Sequence, residues 1–149
     1  MVFKNRSESA QLLSQKIKEE IGADFALTYI SPDSQSFAQL LANNLKTNPK
    51  FLPDLFSNSE AKRSPSQTDK FVDSLIRRFV IIDEGSTNSQ EYNEFTDRIR
   101  KTFPQTKIII AIPVIPESEK SQLEANCDTL IYLHADPYFF SINQFYQEN

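Results

Sequence analysis

The residues best placed to do chemistry are three in a row, Asp83-Glu84-Gly85, directly after the apolar run Phe79-Val80-Ile81-Ile82. Two carboxylates at the carboxyl end of a buried strand can hold sugar hydroxyls or a divalent cation, because open α/β sheets bind ligands at that end. Thr87, Asn88 and Ser89 follow where a helix is expected to begin. A helix start is in general an anion-binding position, through its free backbone N–H groups. Glu91 speaks against a bound anion, since a carboxylate ~4 Å from a phosphate costs about 1 to 4 kcal/mol per unit charge. Structural readings stand beside these. Asp83 to Gly85 also suits a solvated turn with Gly85 at positive φ. Asn88 as N-cap with Glu91 three residues on makes a capping box, which accounts for Glu91 where phosphate binding does not.

The rest of the composition narrows the chemistry. The chain has 149 residues, a net charge of −4, one cysteine, one histidine and only 2 glycines. That is about 1% glycine against a usual ~7%. Walker-type loops and G-x-G-x-x-G fingerprints each need several glycines close together, so both are excluded. The lone His134 removes histidine-based metal clusters and disfavours a Ser-His-Asp triad. Cys127 cannot form an internal disulfide, which fits a reducing, cytoplasmic setting. An acidic pI near 5.0 disfavours nucleic acid as a partner. No apolar run approaches the ~20 residues of a membrane span, and Met1-Val2-Phe3-Lys4-Asn5-Arg6 lacks a signal-peptide apolar region.

These residues need elements to position them. The spacing of Ala10, Leu13, Ile17 and Ile21 predicts a helix over Ser7 to Ile21, with Ser7 as cap and Gly22 as the left-handed C-cap. Phe25 to Ile30 reads as a strand and Ser31-Pro32-Asp33-Ser34 as a turn. A helix follows from Ser36 to Leu45, with Phe37, Leu40, Leu41 and Leu45 on its apolar side. Phe51 to Phe56 reads as an edge strand despite Pro53. The polar stretch 57–67 is expected to be a mobile surface loop, with a helix from Asp69 to Arg78. Phe79 to Ile82 and Lys107 to Ile112 are apolar enough for strands buried on both faces. The second should be stopped by Pro113 and Pro116. Helices are expected over Ser89 to Phe103 and Glu117 to Asn126, and a last strand over Thr129 to Leu133. His134 and Asp136 would follow it, as surface groups or contacts to a base. Alternating strands and helices predict a single α/β domain over 1–149, a three-layer parallel sheet flanked by helices.

Several stretches resemble the type I phosphoribosyltransferase family. Its members carry a strand, two acidic residues and then Gly-x-Ala-Thr-Gly-x-Thr. Here the run is Ile82-Asp83-Glu84-Gly85-Ser86-Thr87-Asn88-Ser89-Gln90-Glu91. Ile109 to Val114 resembles the family's next strand and Cys127 to Leu133 the one after. The tail, Pro137 to Tyr146, and the opening, Phe3 to Leu13, resemble those of one bacterial branch.

The resemblance implies a parallel α/β sheet with a smaller hood, phosphoribosyl pyrophosphate or a nucleotide as ligand, and Mg²⁺ as cofactor. Asp83 and Glu84 match the acidic pair that contacts ribose hydroxyls. Gly85 matches the first glycine of the motif, and Thr87, Asn88 and Ser89 stand for the 5′-phosphate loop. Pro32-Asp33-Ser34-Gln35 stands where the relatives have the pyrophosphate loop Pro-Arg-Gly-Gly, without its arginine or its glycines. The interval from Leu45 to Phe79 has no equivalent of the catalytic insertion. The expected protein is thus a shortened phosphoribosyltransferase-like domain, catalytically degenerate, serving as a binding or interaction module. The alternative is an active transferase using phosphoribosyl pyrophosphate and Mg²⁺ on a nitrogenous base. A receiver-like domain, a third reading, lacks the acidic cluster and later lysine in the expected arrangement. The aromatic tail from Tyr132 to Tyr146 suits core packing, and a shortened sheet with such a flank could bury itself in a homodimer.

Overall fold

The computed structural model describes residues 2–56, 78–85 and 89–148. The expected loop at 57–67 and most of the expected helix 69–78 lie outside the described residues, as do Thr87 and Asn88. In chain order the elements are α1 (Arg6–Ile21), β1 (Ala26–Tyr29), α2 (Gln35–Leu45), β2 (Lys50–Phe51), α3 (Leu52–Leu55), β3 (Arg78–Ile82), α4 (Ser89–Thr102), β4 (Lys107–Pro116), α5 (Lys120–Ala125) and β5 (Thr129–Asp136). Short 3₁₀ turns span Pro32–Ser34, Glu117–Glu119 and Ile142–Phe145.

All strand pairs are parallel, and the five strands lie in the order β2-β1-β3-β4-β5. Past their exposed first residues, Arg78 and Lys107, the central strands β3 and β4 are buried because both their faces are covered. Ala10, Leu13 and Ile17 of α1, with Phe37, Ala38, Leu41 and Ala42 of α2, pack on Leu27, Val80, Ile82, Ile109 and Ala111. On the opposite face Leu52, Tyr92, Ile99 and Leu123 pack on Phe79, Ile81, Ile108, Ile110 and Ile112. The fold is therefore a three-layer parallel α/β sheet flanked by helices, as the alternation predicts.

Local departures have local causes. Asn5, not Ser7, caps α1, because its side chain accepts the Glu8 N–H at 3.0 Å. Gly22 does end α1, but with φ +80° and ψ −145° it is not the left-handed helical cap expected; the positive φ still favours glycine. The core face of α2 is Phe37, Ala38, Leu41 and Ala42, with Leu40 and Leu45 at its margin. The stretch Phe51 to Phe56 pairs with β1 only through Lys50 and Phe51. Pro53 then enters the first turn of α3, where a missing N–H is tolerated.

The clearest correction concerns Pro113, which does not stop its strand. β4 runs on to Pro116, and β5 correspondingly to Asp136, so His134 and Asp136 lie in the strand rather than after it. The Asp83 N–H donates to Ala111 O at 3.2 Å, so Ala111 turns its backbone groups toward β3. Pro113, two residues on, faces the same side, but β3 has ended at Ile82 and no ladder bond is lost. Pairing with β5 skips Pro113 and resumes at Val114 with His134. Side-chain alternation inverts across the skip. Ile115 joins Ile108, Ile110 and Ile112 on one face, while Val114 packs with Phe3, Phe145 and Tyr146 in a separate cluster.

That cluster ties the two ends of the chain together. Phe3 pairs with Tyr146 in an isolated parallel bridge. Phe3 N–H donates to Phe145 O at 2.7 Å and Gln147 N–H to Phe3 O at 2.9 Å. Ser141 and Gln144 form a capping box that sets the angle of the tail. At the far edge of the sheet, Lys16 Nζ donates to Tyr132 O on β5 at 2.6 Å.

Candidate functional site

The strand order dictates where a site can form. From β1 the chain crosses by α2 to β2 on one side, and from β3 it crosses by α4 to β4 on the other. The crevice at the carboxyl ends of β1 and β3 is the switch point where doubly wound sheets bind ligands. The loop after β1 carries Pro32, Asp33 and Ser34, and the loop after β3 carries Asp83, Glu84 and Gly85. Two segments far apart in sequence, both singled out from it, therefore meet.

Ser34 joins them. Its fully buried hydroxyl donates to Asp83 Oδ1 at 2.9 Å and accepts the Glu84 N–H at 3.2 Å. Asp83 is itself 0% exposed, and its Oδ2 accepts the Gly85 N–H at 2.8 Å. Both carboxylate oxygens of Asp83 thus serve to shape the crevice. Pro32 and Asp33 are exposed at its lip, where Ser31 Oγ accepts the Asp33 N–H at 3.3 Å.

Glu84 is half-buried, and burial raises its carboxyl above the ordinary value of 4.5. The Arg6 guanidinium opposes that shift, while the charges of Asp83 and Asp33 add to it. Arg6 Nε lies 3.5 Å from Glu84 Oε2. The same guanidinium donates to Asn143 Oδ1 at 2.7 Å and stacks 4.4 Å above the Tyr146 ring. The Tyr146 hydroxyl meets Ser9 Oγ at 2.7 Å, and burial pushes its pKa up. Gly85 has φ +121°, and a Cβ there would stand 3.1 Å from Ile142 Cδ1 and 3.4 Å from Val114 O. The tail thus lies directly on the acidic loop, and only glycine allows that approach.

Arg6 and Asn143 are the site residues that sequence reasoning missed, while Tyr146 was read only as part of the aromatic tail. One signal pointed to Arg6. A cation in the first turn opposes the helix dipole, so it needs a compensating partner elsewhere. The remaining sequence candidates fall apart in space or on undescribed residues. Ser89 begins α4, and Thr87 and Asn88 lie outside the described residues, so the phosphate-loop and capping-box readings of this segment are both carried forward. His134 Nε2 lies 2.8 Å from Asp136 Oδ2, and the Tyr138 N–H donates to Asp136 Oδ1 at 2.7 Å. The hydrogen bond from His134 is the main reason that the Asp136 carboxyl sits below its usual range. Cys127 is buried, and desolvation lifts its thiol to about 11.

Among the described residues no group of three or more His, Cys, Asp and Glu side chains could hold a metal ion. Nor is any helix among them long and apolar enough to cross a membrane.

No family model matches the sequence, and no curated protein matches it. In three dimensions the chain is similar to the crystal structure of TT1426 from Thermus thermophilus. The TM-score is 0.69 at 12% identity, over 98% of this chain and 90% of that one. At that identity the likeness speaks for the fold alone, a three-layer parallel α/β sheet.

Proposed function

We propose that the chain is a phosphoribosyltransferase-like binding module, catalytically degenerate, with its ligand crevice between the loops after β1 and β3. The observation that carries this reading is the Ser34–Asp83 hydrogen bond. It joins the two segments that resemble the family's pyrophosphate loop and acidic pair, at the switch point of a parallel sheet. The same bond supports loss of catalysis. An acid held by Ser34 and the Gly85 N–H is engaged in positioning the two loops. Glu84 is then the member of the pair that meets a ligand, a sugar phosphate or nucleotide. Ser34 and Asp83 are positioning residues, Gly85 admits the tail, and Thr87, Asn88 and Ser89 provide the remnant of the phosphate loop. Tyr138 and Phe140, 72% and 87% exposed, suit contact with a partner protein, a second copy of the chain included.

The test is calorimetry with phosphoribosyl pyrophosphate and Mg²⁺, paired with an assay for pyrophosphate release in the presence of nucleobases. The expected outcome is millimolar binding at best and no release. Micromolar binding that Asp83→Asn/Glu84→Gln abolishes, or any base-dependent release, would overturn the reading in favour of an active transferase.

A further inference from the structure

The distinctive group in the crevice is Arg6, which comes from neither loop. Two neutral groups fix its guanidinium: Asn143 Oδ1 at 2.7 Å and the face of the Tyr146 ring at 4.4 Å. Both orient the fork without neutralising it. Its one carboxylate partner among the described residues is Glu84, whose Oε2 lies 3.5 Å from Arg6 Nε. That is longer than the 2.7–2.9 Å of a strong charge-assisted bond. A guanidinium has five N–H donors, so most of the fork is still available to a second acceptor. Arg6 and Glu84 side chains are 26% and 17% exposed, so solvent and small solutes can reach the pair.

We propose that Arg6 is an anion-binding residue whose place is held in the free protein by the Glu84 carboxylate, and that the phosphate of a ligand displaces it. This rests on the crevice described above and names the group that takes the charged end of the ligand. The internal carboxylate makes the site selective. An incoming anion gains Arg6 only if it also leaves Glu84 neutral or moved, against the charges of Asp83 and Asp33. Arg6, Asp33, Asp83 and Tyr146 are the titratable groups that face Glu84. Burial already raises the Glu84 carboxyl, so protonation as pH falls frees Arg6 and lessens the repulsion together. Anion binding therefore tightens toward low pH.

The test titrates inorganic phosphate into the full chain and its variants by calorimetry, with thermal melts to verify folding. Glu84→Gln removes the competing charge and should tighten phosphate binding about fivefold, the effect of losing one partly exposed ion pair. Arg6→Gln, and Arg6→Gln in the Glu84→Gln background, should bind no phosphate at millimolar concentration. Arg6→Lys should bind more weakly than the parent, because a point charge lacks the fork. Asn143→Ala, which removes the orienting acceptor and no charge, should weaken binding in the Glu84→Gln background. Sulfate, whose charge is constant over the range, should bind the parent more tightly as pH falls and Glu84→Gln with no such dependence. Unchanged phosphate affinity in Glu84→Gln, or phosphate retained by the folded Arg6→Gln/Glu84→Gln double variant, overturns the proposal. The outcome is separable from that of the module itself. Phosphate binding by Glu84→Gln concerns Arg6 alone, whereas the phosphoribosyl pyrophosphate titration concerns the function of the crevice.

Discussion

Ser34 and Asp83 are 49 residues apart in sequence and joined by a buried 2.9 Å hydrogen bond at the carboxyl edge of the sheet. Removing the hydroxyl leaves the buried Asp83 Oδ1 and the Glu84 N–H without this partner. Ser34→Ala should therefore cost about 1–3 kcal/mol, read as a lower urea midpoint at unchanged slope. Ser34→Thr keeps the hydroxyl and should recover part of it.

Gly85→Ala faces two penalties, a backbone at φ +121° and a Cβ 3.1 Å from Ile142 Cδ1. A non-glycine residue in such a region costs about 1–3 kcal/mol. The close contact is relieved by Ile142→Val, so the double variant should be less destabilised than the sum of the singles. Additive losses in the urea midpoints would mean that the tail does not press on this loop.

Tyr146→Phe deletes the hydroxyl bonded to Ser9 and keeps the ring beneath Arg6. The expected loss is about 0.5–1.5 kcal/mol. Tyr146→Leu removes the cation–π contact as well and should lose more in the same melt.

Asp136 has a folded pKa below its ordinary 3.8, first because of the His134 hydrogen bond. The stability it contributes is present above that value and is lost as pH falls through the lower folded one. Asp136→Asn should thus be less stable than the parent at neutral pH and approach it in strong acid, below both values. A gap that stays constant across an acid titration of the melting temperature would contradict the His134 pairing.

Cys127, with a thiol at about 11 and its side chain buried, should resist alkylation by iodoacetamide at pH 8. It should react promptly once urea unfolds the chain. Rapid labelling of the native protein would place the thiol at the surface.

The layers and strand succession were legible because Phe79-Val80-Ile81-Ile82 and Lys107 to Ile112 are apolar without alternation, which only a doubly covered strand explains. The position of Asp83 and Glu84 at a strand end was legible for the same reason. What they touch was not. Ser34 reaches Asp83 from 49 residues away and Arg6 reaches Glu84 from 78, while Asn143 joins through Arg6. No local pattern records such contacts. Pro113 misled because the rule against proline in a strand assumes a neighbour on both sides, and β3 ends before it reaches that residue. Asn5 displaced Ser7 as cap because hydroxyls and amides cap almost equally well, so the entry of the chain from the Phe3 bridge settles the choice.

The α1 lysine that reaches across to β5 has a consequence for how these molecules behave in a crowd. By occupying the Tyr132 carbonyl, Lys16 denies a foreign strand one of the acceptors it would need to extend the sheet sideways. A positive charge parked on an open border also repels the same border of a neighbouring copy. Lys16→Ala would leave the interior packing untouched yet unlock that border, and light scattering on warm, concentrated protein should rise well before the melting temperature falls.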